Sequence, residues 1–174
     1  MQICSMWILL ALFVSCRPDR GTEKSQTGQD WSKNHSVDFN REVNEREQLE
    51  ISAFLKHHYY LKMQTSVSGL RYMIYKKSNG ARVKSGADVS VKMKIERLDG
   101  TLCYQTDSAQ KEENIIIGKS HLESGIQEGI KLMRVGEQAK FILPSYLGHG
   151  LLGDRYTIPP QEILYVDVEL IRIK

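Results

Sequence analysis

Residues 142–160 read ILPSYLGHGLLGDRYTIPP: a strand-like run breaks into a glycine-punctuated loop, and two adjacent prolines lead into another strand. The loop offers one histidine, His149, and one unusual backbone position. Pro159 pushes Ile158 into extended backbone and Pro160 carries no N–H, so the Ile158 amide falls outside a regular ladder and is left available to a ligand carbonyl. Pro-Pro also straightens the chain entering the last strand, and both readings can hold together. The remaining reactive side chains do not assemble by spacing. His57 and His58 are neighbours that point about 100° apart on a helix, while His35, His121 and His149 are widely separated. No CxxC or HExxH is present, so no metal site is expected. No P-loop, dinucleotide fingerprint or catalytic triad is visible, and no cofactor is expected.

The elements that must carry this loop follow from periodicity. Leu70, Tyr72 and Ile74 alternate with Arg71, Met73 and Tyr75, and Val89, Val91, Met93 and Ile95 alternate with polar residues, as in strands with one buried face. Asp99-Gly100 closes the second as a turn. A short apolar run, Ile115 to Ile117, stops at Gly118. Leu122, Ile126, Ile130 and Met133 recur at helical spacing, and Gly125 and Gly129 leave one side of that helix bare for close packing on a sheet. Strands at 138–143 and 163–173 complete an α+β domain with a mainly antiparallel sheet, without βαβ rhythm.

Upstream, Asn44 followed by Glu47 has capping-box spacing, and Ile51, Phe54, Leu55, His58 and Tyr59 share one face of a helix expected over 45–63. That face, through Phe54 and Tyr59, is a candidate for self-association; the oligomeric state is left open. Residues 17–43 are polar and aperiodic, the composition of a flexible tether. The first fifteen residues, MQICSMWILLALFVS, carry no charge, and their apolar run is far shorter than the ~20 residues a helix needs to span a bilayer, so they read as a signal segment. Leu-Phe-Val-Ser-Cys, ending at Cys16, resembles the lipobox of bacterial lipoproteins; a plain cleaved secretory signal is the other reading. With Cys4 removed and Cys16 acylated, Cys103 alone remains, so no intramolecular disulfide is expected.

The chain has 174 residues, 41% hydrophobic and 26% charged, which suits one globular domain. Its net charge of +3 comes from 24 basic and 21 acidic residues without a basic stripe, which argues against nucleic-acid binding.

Several fragments in order, GIQEG at 125–129, MRVGEQAKF at 133–141, Pro144-Ser145, Gly150, Ile158-Pro159-Pro160 and VDVEL at 166–170, resemble the FKBP-type peptidyl-prolyl isomerases over residues 86–174. The resemblance implies a twisted antiparallel sheet wrapped around one short helix, FKBP-like, with the binding pocket between helix, sheet and loops, and here an N-terminal helical extension. The expected organisation is a signal peptide over 1–15, lipidated Cys16 and tether over 16–43, a helix over 44–68 and the FKBP-like domain over 69–174. The family also includes exported lipoproteins with a helical extension, some linked to gliding motility, to which the tether plus helix is similar.

The resemblance places the substrate pocket at Met93, Cys103, Tyr104, Leu122, Glu123, Ile126, His149, Ile158 and Val166. Met93, Cys103, Ile126 and Val166 stand where aromatic residues are usual in the family, Tyr104 replaces an acidic residue, Glu123 an aliphatic one and His149 a tyrosine. The aromatic position before the short strand falls on Glu113 or on a neighbour, since the loop around Asp107 to Asn114 leaves the register open. Fewer rings mean fewer of the contacts that dominate burial in such sites. Met93 compensates in part through its flexibility, and His149 can donate as tyrosine would while making binding depend on pH. The implied activity is isomerisation of X-Pro amides in proline-containing polypeptides by an exported protein, anchored by lipid to a membrane and facing the periplasm or cell surface. A catalytically weak binding or chaperone module of a cell-envelope complex is the alternative.

Overall fold

The computed structural model describes residues 33–106 and 112–174. The signal-like segment, Cys16 and the polar stretch as far as residue 32 lie outside them. In chain order the elements are α1 (Lys33–His57), β1 (Gln64–Thr65), β2 (Arg71–Lys76), β3 (Asp88–Arg97), β4 (Leu102–Gln105), β5 (Glu113–Ile116), α2 (Ser124–Leu132), β6 (Gln138–Leu143), a short 3-10 helix (Ser145–Leu147) and β7 (Leu164–Ile173). The strands form one antiparallel sheet in the order β1-β2-β6-β7-β3-β4, and β5 shares the edge of β3 with β4. The α+β architecture expected from the alternation is the one observed.

Two rows of side chains show how the sheet is used. Tyr72, Phe141, Val166 and Ile95 are register partners across β2, β6, β7 and β3, and their side chains join the main core against α2. The next row, Arg71, Ile142 and Tyr165, points to the opposite face, because successive strand residues alternate sides. There Ile142 packs with Ile51 of α1 and with Ile163, flanked by Phe54, Leu55 and Tyr165.

The bare side of α2 has the expected purpose. A Cβ at Gly129 would stand 2.5 Å from the Phe141 ring, and one at Gly125 would stand 2.8 Å from Leu143. Only hydrogen at these positions lets the helix backbone settle on β6.

α1 differs from expectation at both ends. It begins at Lys33, inside the stretch read as tether, and stops at His57, so residues 64–65 belong to the sheet as β1. Its first turns are exposed and need no apolar face, which is why composition misread them. Asn44 and Glu47 both lie within the helix and form no capping box; Glu47 occupies the buried stripe between Val43 and Ile51. The last turn explains the paired histidines. The Nδ1–H of His57 donates to the Ala53 carbonyl and that of His58 to the Phe54 carbonyl, so each ring folds back on its own helical turn. Phe54 stacks on His58 and packs against Tyr165, so the face proposed for self-association is covered by the chain's own sheet, while Tyr59 is exposed. Among the described residues, no helix is long and apolar enough to cross a membrane.

Candidate functional site

A cleft of about 440 Å³ opens where the end of β3, β4, β5, the segment entering α2 and the loop 145–161 converge. Ile95, Ile115, Leu122 and Ile158 supply its apolar lining, and Tyr104, Glu113, Glu123, His149 and Asp154 supply polar groups. Strands β3 and β5 deliver Ile95 and Ile115 from a rigid support, because both also belong to the main core, and the loop brings Ile158, which is packed in that core too. The loop closes the remaining side.

Six of the nine expected pocket residues meet here: Cys103, Tyr104, Leu122, Glu123, His149 and Ile158. Met93, Ile126 and Val166 do not line the cleft. They are 3%, 0% and 0% exposed and packed within the core behind it.

Two side-chain pairs bridge polar groups of the cleft. The Tyr104 hydroxyl donates to Glu113 Oε2 at 2.7 Å, and burial followed by that carboxylate pushes the phenol up to about 12. His149 Nε2–H donates to Glu123 Oε1 at 2.8 Å across the cleft mouth. Burial pushes the Cys103 thiol above its ordinary value, so it is poor as a thiolate nucleophile.

The loop corrects the expectation for Ile158. Its N–H is not free: it donates to Asp154 Oδ1 at 2.8 Å, beside the N–H groups of Tyr156 and Thr157 on the same oxygen, while the Thr157 hydroxyl takes Oδ2. Arg155, at φ 66°, turns the chain so that these amides face back to Asp154. Burial opposes ionisation of Asp154, but the Ile158 amide and then the other donors outweigh it and lower the carboxyl to about 2. The carboxylate therefore holds the IPP segment in place.

Sequence reasoning missed Asp154, Ile95 and Ile115 as lining residues. An aspartate opening a DRYT turn is an Asx-turn signal, and it was the available clue to Asp154. Ile95 and Ile115 read only as core, and they serve core and cleft together.

Residues 80–171 match the family described as FKBP-type peptidyl-prolyl cis-trans isomerase. Peptidyl-prolyl cis-trans isomerase FKBP9 of Homo sapiens is 36% identical over 76 residues, covering 44% of this chain and 13% of that protein. The FKBP-type isomerase FkpA of Aeromonas hydrophila is 34% identical over 112 residues, covering 64% of this chain and 41% of that protein. The chain therefore spans less than half the length of these relatives. Among solved structures, FkpA from Escherichia coli superposes with a TM-score of 0.65 at 24% identity, over 80% of this chain and 64% of that one. The N-terminal domain of FKBP42 from Arabidopsis thaliana gives 0.61 at 20% identity, over 65% and 92%. These superpositions share the fold.

Proposed function

The chain belongs to the FKBP-type peptidyl-prolyl cis-trans isomerase family, and from that premise we propose that it isomerises X-Pro amides in the cleft between β3, β5 and the loop 145–161. The observation that carries this reading is an apolar cleft in the family-matched domain, walled by the IPP isoleucine and framed by fixed polar pairs. Rotation about the amide crosses a barrier of ~18–20 kcal/mol because resonance is lost in the twisted state. No nucleophile is needed for that step. The planar amide is the more polar form, so moving it from water onto Ile95, Ile115, Leu122 and Ile158 disfavours it relative to the twisted form. The pairs Tyr104–Glu113 and Glu123–His149 then orient the substrate backbone by exchanging partners with it.

The cellular setting belongs to the same proposal. The signal-like segment and Cys16 support an exported lipoprotein, anchored by lipid at the periplasmic side or cell surface and similar to the gliding-linked members with a helical extension. Its clients are proline-containing exported chains. A second reading, a binding or chaperone module without isomerase activity, draws on one observation: the Ile158 amide and the polar groups at the cleft mouth are already engaged internally.

Magnetisation-exchange NMR on a Leu-Pro tetrapeptide separates the two. Isomerisation predicts faster cis/trans exchange at substoichiometric protein. Saturable binding without faster exchange is the result the second reading predicts, and it rejects the first.

A further inference from the structure

Three consecutive residues of α1 reach the two ends of the loop 145–161 and strand β2. Arg46 Nη2 donates to Gln161 Oε1 at 2.6 Å, Gln48 Oε1 accepts from Arg71 of β2 at 2.7 Å, and Glu47 turns inward. Glu47 is 1% exposed; its Oε2 accepts the Ser145 N–H at 2.9 Å and its Oε1 the Ser145 hydroxyl at 2.5 Å. Ser145 itself is 3% exposed and opens the loop that frames the cleft.

From Ser145 the bonding continues to the cleft mouth. Its carbonyl accepts the N–H groups of Gly148 at 2.9 Å and Gly150 at 2.8 Å, the two residues flanking His149. His149 then meets Glu123 at 2.8 Å. The far end of the loop is tied to the same point, because the Gln161 N–H donates to the Gly150 carbonyl at 2.9 Å and Gln161 is the residue that Arg46 holds. Two lines from adjacent α1 residues thus converge on Gly150.

Stability alone does not explain a carboxylate at position 47. Its stripe neighbours, Val43 and Ile51, are apolar and buried, and a buried charge gives up hydration that an apolar side chain in the same place would not. What the carboxylate supplies is direction: two acceptors fixed on one residue of the loop.

We infer that Glu47 is a positioning residue for the cleft, setting the place of His149 and the loop through Ser145. The inference rests on the reading of the cleft as a proline-peptide site, and it gives α1 a part in that site without touching the substrate.

The test uses the full chain with two readouts. One is the imidazole 1H–13C resonance of His149, assigned by comparison with His149→Asn. The other is the dissociation constant of a Leu-Pro tetrapeptide. Glu47→Gln and Ser145→Ala are expected to move the His149 resonance and weaken the peptide roughly 3- to 10-fold, the scale of coupling through a bonded network. Glu47→Leu separates positioning from stability: it keeps or raises the thermal midpoint while weakening the peptide. Arg41→Ala, on the exposed side of α1, changes neither readout. An unmoved His149 resonance with unchanged peptide affinity in folded Glu47→Gln and Ser145→Ala overturns the inference. Should Glu47→Gln not fold, Ser145→Ala alone decides. Should the wild-type protein bind no peptide, the proposed function fails, and the His149 resonance still decides the positioning role.

Discussion

The sheet carries a helix on each face, and the two helices are attached by different chemistry. α2 sits on β6 with its backbone against Phe141 and Leu143, through glycines and a continuous apolar core. α1 rests on a small cluster, Ile51, Ile142 and Ile163, and is fixed beside it by directed bonds from Arg46, Glu47 and Gln48. Apolar packing is strong and undirected, whereas the polar contacts are few and specify one arrangement. The α2 face therefore holds the fold together, and the α1 face holds the loop in register with the cleft.

Ile130→Ala is expected to destabilise the domain by about 3–4 kcal/mol, as for large-to-small changes in a fully buried core, read as a fall in the urea midpoint by every probe together. Gly129→Ala follows at about 2–3 kcal/mol, the upper part of the range for overpacking, because the Phe141 ring is fully buried and cannot withdraw. An unchanged midpoint for either would mean that α2 is not the element the core depends on.

On the α1 side, Ile51→Ala is expected to cost about 2 kcal/mol, the low end for a buried isoleucine, since its cluster is small. Amide hydrogen exchange sharpens the contrast: the amides of α1 should open before those of β3 and β7. Equal protection throughout would merge the two regions into one cooperative unit.

The smallest effect is expected at Asp154, on the loop between the two regions. Its folded carboxyl lies at about 2, below the ordinary 3.8, so its hold on the Ile158 amide is complete above about pH 4 and lost as pH falls through about 2. The Ile158 amide shift, followed by NMR from pH 5 downward, should titrate with that midpoint and lose the transition in Asp154→Asn. A transition near 4 instead would mean that the amide cluster does not hold the charge.

Much of this frame was readable in residue order. The alternation of Val89, Val91, Met93 and Ile95 marks β3, and Gly125 with Gly129 announces a helix laid closely on a sheet. What escaped is of two physical kinds. Met93, Ile126 and Val166 are packed in the core and do not line the cleft, and residue order does not say which core side chains border a pocket. Acceptors are equally ambiguous: Glu47, three residues after Asn44, reads as a cap, and only the sheet-facing stripe of α1 shows it as the partner of Ser145. Ile158 looked free because its amide lies outside any ladder, although Asp154 was four residues away.

Isomerisation of X-Pro bonds in this cleft, as proposed above, is open to direct measurement by proline-limited refolding of a substrate protein. Catalytic amounts of the purified chain should increase the rate of the slow phase, and an alanine at Ile158, folded by circular dichroism, should lose most of that increase. A folded wild-type protein that leaves the slow phase at its uncatalysed rate would rule out isomerisation in the cleft.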